Sequence, residues 1–138
     1  MFVPRFHSLR IFNETIAMKF NAGLTLVALL LAATNASAAA FLDHAQPAVG
    51  STVGTPPTEI KIWFTETFEP ALSQIQLFDH RNRPVTQNKA LVDSDDPDLL
   101  KLSIPALKPG VYKVSWKVVS MDMRMTVGTF SFKVLKTK

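Results

Sequence analysis

Residues 39–138 predict an all-β domain, a single antiparallel β-sandwich of immunoglobulin-like size with about seven strands. Three observations carry that prediction. Apolar and polar residues alternate with period two in several runs, which marks strands with one face buried. Clusters of Pro, Gly, Asn and Asp separate the runs. No stretch of this region has the three-to-four-residue apolar spacing of an amphipathic helix.

The chain has 138 residues. The segment "MKFNAGLTLVALLLAATNASAAA" (18–40) decides where the domain begins. It has a basic start at Lys19, an apolar run from Gly23 to Ala33 and the small-residue sequence "ASA" at 36–38. That order is the order of a cleavable secretory signal peptide. The run is shorter than the roughly 20 apolar residues a membrane span needs. Residues 1–38 therefore read as a leader and 39–138 as the domain, with cleavage after Ala38. Residues 1–17, "MFVPRFHSLRIFNETIA", do not fit the signal pattern, and Met18 is the expected true start.

The strands follow in order. In "EIKIWFTE" (59–66), Ile60, Ile62 and Phe64 face one way and Lys61, Trp63 and Thr65 the other. "SQIQLFD" (73–79) turns Ile75 and Leu77 inward, and "LLKLSIP" (99–105) is a further short strand. "VYKVSWKVVS" (111–120) alternates Tyr112, Val114, Trp116 and Val118 with polar residues, and "TFSFKV" (129–134) does the same with Phe130, Phe132 and Val134. The separators are "TPP" (55–57), "DHRNRP" (79–84), "DSDDPD" (93–98) and "KPG" (108–110). "DSDDPD" is acidic enough to suggest a cation loop. It lacks the glycine and terminal glutamate of a calcium hand, so a solvated turn is the preferred reading.

Composition removes several functions. With no cysteine there is no disulfide, zinc–thiolate centre or cysteine nucleophile. Residues 39–138 hold twelve Lys and Arg against ten Asp and Glu, a net charge of only +2 without a basic stripe, so nucleic acid is not an expected partner. No Ser/His/Asp arrangement or nucleophile elbow suggests hydrolysis.

The stretches "AFLDHAQPAVGSTVGTPPTEIKIWFTE", "PGVYKVSWKVVSMD" and "GTFSFKV", in that order, resemble the CopC copper-resistance family across about residues 39–135. The resemblance implies a small periplasmic Greek-key sandwich of seven strands that binds copper and serves copper tolerance or supply. It also implies a copper(II) site made of an N-terminal histidine, an acidic residue after the "F-S/T" of a long strand, and an Asp-x-His pair. Copper(II) favours such tetragonal nitrogen and oxygen sets. In this sequence the acidic position is Glu66 and the aspartate is Asp122. Arg124 stands in place of the second histidine, and Ala39 in place of the N-terminal one.

An arginine only donates hydrogen bonds and cannot ligate as histidine does. The expectation is that Arg124 replaces the metal, its guanidinium satisfying Asp122 and Glu66 together. His44, in "DHAQP", is a speculative ligand, with a surface or turn histidine as the preferred alternative. His80 is expected to be solvated. Met121, Met123 and Met125, in "SMDMRMTVG" (120–128), share one face if the segment is a strand, opposite Asp122 and Arg124. Soft thioethers select copper(I), but methionine also fills irregular cores, and packing in the core is the preferred reading. Trp63 lies on the outward face by alternation, either covering the other sheet or marking a partner surface.

The function expected from all this is copper homeostasis in the periplasm, by a copper carrier or buffer with a degenerate copper(II) site, rather than catalysis. An arginine beside Glu66 and Asp122 would lower both carboxyl pKa values, which is the wrong direction for an acid–base pair. The copper cargo is copper(II) held weakly or copper(I). The alternative is a metal-free adaptor docking on an inner-membrane copper permease.

Overall fold

The computed structural model describes residues 39–137, so the leader and start-site expectations for 1–38 lie outside the described residues. Eight strands follow one another: β1 (Leu42–Gln46), β2 (Thr52–Val53), β3 (Glu59–Phe64), β4 (Gln74–Phe78), β5 (Leu91–Val92), β6 (Leu99–Ser103), β7 (Gly110–Val119) and β8 (Met125–Val134). A single 3₁₀ turn, Pro70–Leu72, precedes β4. The strands form two sheets, ordered β1-β3-β6-β5 and β2-β8-β7-β4. All pairs are antiparallel except β2 with β8. Among the described residues no helix is long and apolar enough to cross a membrane.

The alternation of the sequence becomes the interior. Ile60, Ile62 and Phe64 of β3 and Leu100 and Leu102 of β6 face Ile75 and Leu77 of β4, Tyr112, Val114, Trp116 and Val118 of β7, and Phe130, Phe132 and Val134 of β8 in one buried cluster. Each of the larger side chains contributes roughly 1.5–3 kcal/mol by leaving water, which is how a domain of this size holds together. Trp116 lies directly opposite Gly128 in the β7–β8 register. A Cβ at Gly128 would stand 2.4 Å from the indole Cζ2, so the ring occupies the space a side chain would need. The Tyr112 hydroxyl donates to the Lys108 carbonyl at 2.7 Å, four residues back, which is the tyrosine corner of such sandwiches. Burial pushes that hydroxyl's pKa up and keeps it a donor.

Two differences from the sequence reading matter for the site. Strand β8 starts at Met125, four residues before the run 129–134 announced by alternation. The segment 120–124, read as strand, is instead the reversal between β7 and β8.

Candidate functional site

The hairpin tip is closed by backbone bonds within five residues. The Ser120 N–H donates to the Arg124 carbonyl at 2.9 Å, and the Met123 N–H donates to the Ser120 carbonyl at 2.9 Å. Met123 adopts φ 67°, the left-handed region. This is a three-residue loop, a turn followed by one left-handed residue, in which that last position ordinarily falls to Gly or Asn.

Ser120 organises the tip from beneath. It is 2% exposed, and its hydroxyl donates to Asp122 Oδ1. The same oxygen accepts from the Arg124 N–H at 3.2 Å. Asp122 is thereby drawn back over the turn, where its other oxygen, Oδ2, lies 3.5 Å from Arg124 Nε. The expected contact of Arg124 with Asp122 is formed. Among the described residues no ion pair joins Glu66 to Arg124, so the guanidinium meets one carboxylate and not two. The chain reversal is the reason: Asp122 and Arg124 are neighbours across a turn rather than along a strand face.

Glu66 is exposed in the loop after β3. That loop is tied to the hairpin by a bridge between Phe68 and Ser120 and by the Glu69 N–H donating to the Val119 carbonyl at 2.8 Å. The start of the domain comes to the same end of the sandwich. The Thr126 hydroxyl donates to the Ala40 carbonyl, and the Phe41 N–H donates to Thr65 Oγ1 at 3.0 Å. The backbone thus brings the start of the domain, the loop after β3 and the hairpin together. Ala39 brings no imidazole and Arg124 brings a positive charge. Among the described residues no three His, Cys, Asp or Glu side chains gather as a metal site.

The methionines correct the packing expectation. Met121 is 58% exposed, Met123 66% and Met125 64%, so none lies in the core. Val127, on the same outward face of β8, is also exposed.

His44 lies elsewhere, on β1 in the other sheet. It is exposed, donates from Nδ1 to Asp43 Oδ2 at 2.7 Å, and stacks on Trp63 with ring centroids 4.3 Å apart. A register shift between Leu42 and His44 sets these two rings opposite each other. Trp63, expected to point outward, is held there by its indole N–H donating to Asp96 Oδ2 at 3.1 Å. His80 is exposed in its turn. The residue the sequence reading missed is Ser120, and the signal was faint: a serine two residues before an aspartate, a pattern suited to local side-chain bonds.

A family model described as CopC domain matches residues 42–135. Protein YobA of Escherichia coli (strain K12) is 32% identical over 96 residues, covering 69% of this chain and 77% of its own. Copper resistance protein C of Xanthomonas campestris pv. juglandis is 32% identical over 115 residues, covering 76% and 90%. Among solved structures, CopC from Methylosinus trichosporium OB3b superposes with a TM-score of 0.67 at 32% identity, covering 70% of this chain and 94% of that one. PcoC, a methionine-rich copper resistance protein from Escherichia coli, superposes with a TM-score of 0.64 at 26% identity, covering 70% and 99%.

Proposed function

The chain belongs to the CopC family, and from that premise we propose that it is a periplasmic copper-homeostasis protein that carries or buffers copper(I) on the β7–β8 hairpin tip and has lost the family's copper(II) site. The observation that carries the reading is the exposure of all three methionine side chains on one three-residue loop and its flank.

The donor chemistry points the same way. Thioethers are soft and neutral, and they suit copper(I). Copper(II) favours tetragonal sets of nitrogen and oxygen, and here one expected imidazole position holds a fixed cation. Asp122 offsets the charge of Arg124, so the sulfurs are approached past an ion pair rather than past a bare guanidinium. A singly charged copper(I) also meets less repulsion from Arg124 than a doubly charged ion would. The role is that of a carrier or buffer rather than an enzyme, with copper as cargo.

A second reading rests on the same tip. Met121, Met123, Met125 and Val127 are exposed apolar side chains close together in sequence. A metal-free adaptor would use them to meet an inner-membrane copper permease.

Titration of the purified protein with silver(I), and with copper(I) against a chromophoric chelator, separates the two. Tight one-to-one binding that Met123→Leu weakens by about tenfold, and the triple leucine variant by about a hundredfold or more, supports the carrier; these are losses of about 1.4 and 2.7 kcal/mol. Copper(II) should give no electron paramagnetic resonance signal with nitrogen coupling. Affinity unchanged in the leucine variants removes the sulfur site, and silence with both oxidation states favours the adaptor.

A further inference from the structure

Residues 39–138 contain no cysteine and three methionines, and those three fall within five consecutive positions. Every sulfur atom of that stretch is therefore on one hairpin, and each side chain is more than half exposed. Exposed thioethers are oxidised readily by two-electron oxygen donors, and the product is a polar sulfoxide. The core is built from Ala, Ile, Leu, Val, Phe, Tyr and Trp without a methionine. Oxidation of sulfur here touches the tip and leaves the packing alone. Met123 also holds a left-handed backbone position that a methionine occupies at a cost. Local strain of that kind concentrates at functional positions, and here it keeps a sulfur at the apex.

We propose that hypohalous acid oxidises Met121, Met123 and Met125 to sulfoxides and that this oxidation turns off copper(I) binding at the hairpin; the proposal rests on the reading of the hairpin as a copper(I) site. The step balances as thioether plus hypochlorous acid giving sulfoxide, chloride and a proton. A sulfur–oxygen bond forms and the oxygen–chlorine bond breaks. Sulfur gives up two electrons, which leave on chloride, and the proton passes to water. The sulfoxide no longer offers copper(I) a free thioether lone pair, and its oxygen is a harder donor than the soft ion prefers. Bound copper(I) occupies the same lone pairs, so the loaded hairpin is oxidised more slowly than the empty one. Because the sulfurs lie outside the core, the result is a change of ligand chemistry on an intact fold, unlike the disruption that follows oxidation of a buried methionine.

The test treats purified protein with stoichiometric hypochlorous acid and follows three readouts. Trypsin cleaves after Lys117, Arg124 and Lys133, so mass spectrometry should find two added oxygens on 118–124 and one on 125–133. Silver(I) affinity should fall by more than about tenfold, since the soft donors are gone. The melting temperature and near-ultraviolet circular dichroism should be unchanged. A methionine sulfoxide reductase with a dithiol, which returns thioether, disulfide and water, should restore the affinity. The proposal is overturned if the oxidised protein binds silver(I) as tightly as the untreated one. It is equally overturned if the three sulfurs stay unoxidised while free methionine in the same tube is consumed, or if affinity falls only together with unfolding. Failure of the untreated protein to bind silver(I) appears before any oxidant is added; it sinks the copper(I) reading itself and the switch with it.

Discussion

The acidic turn 93–98 and the hairpin tip 120–125 both look like ligand sites in sequence, yet the fold treats their donors in opposite ways. In the turn the structure uses the carboxylates internally. Asp93 pairs with Lys101 at 2.6 Å and accepts from the Asp95 N–H at 2.9 Å. Asp96 accepts from the Asp98 N–H at 3.1 Å and from the Trp63 indole. Asp98 accepts from the Thr67 hydroxyl at 2.7 Å. At the tip, Ser120, Asp122 and Arg124 hold one another, and the three sulfurs point to solvent. The lesson is that a donor serves a ligand only when the fold has not already engaged its lone pairs. Density of ligand-type residues in sequence does not report that.

The strongest way to break this contrast is Ser120→Ala. Removing a buried hydroxyl that bonds Asp122 and the Arg124 backbone should cost about 1–3 kcal/mol in urea unfolding. A loss too small to measure would mean that the tip does not depend on that hydroxyl. Met123→Gly should act in the opposite direction. Relief of the left-handed position, less the added freedom of glycine in the unfolded chain, should stabilise by about 0.5–1 kcal/mol while weakening copper(I) binding. A destabilised glycine variant would show that Met123 makes contacts worth more than its strain.

Smaller effects sharpen the comparison. Arg124→Ala removes an exposed pair and should change stability by no more than about 0.5 kcal/mol in thermal melts. A larger loss would give that ion pair a structural weight its exposure does not suggest. The turn should answer to pH instead. The hydrogen bond from Lys101 is the leading reason that Asp93's carboxyl pKa is held below its ordinary 3.8, and the same bond raises the Lys101 pKa above its ordinary 10.5. The carboxylate's contribution is complete above 3.8 and is lost as pH falls through the lowered folded value. The ammonium's contribution is complete below 10.5 and is lost as pH rises through the raised one. Denaturation midpoints should therefore fall less as pH drops through the acid range in Lys101→Met than in the parent, while Met123→Leu leaves the profile's shape alone.

Much of the fold was legible because long alternating runs have one physical solution. β3, β4, β6 and β7 stand where their apolar periods put them. The two-residue strands β2 and β5 were not legible, since two residues carry no period and pair only because a neighbouring strand is present. At the site, the family resemblance singled out Glu66, Asp122 and Arg124 as candidate positions. The expectation built on it paired Arg124 with both Asp122 and Glu66, where the structure pairs it with Asp122, and it put the methionines in the core. The pattern Met-x-Met-x-Met fits a strand face as well as a turn followed by a strand. The left-handed position that would have marked the turn holds Met123 rather than Gly or Asn.

By itself, then, the sequence determined the β-sandwich, its core residues and its family, because these follow from residue type and period. Only the tertiary structure decided that 120–124 reverses the chain, that Arg124 pairs with Asp122 without Glu66, and that the three methionines are exposed. Those outcomes depend on the register of β7 against β8 and on a buried hydroxyl beneath the turn. The register is closed through the short β7–β8 hairpin, while the segment that bridges to Ser120, at Phe68, is distant in sequence.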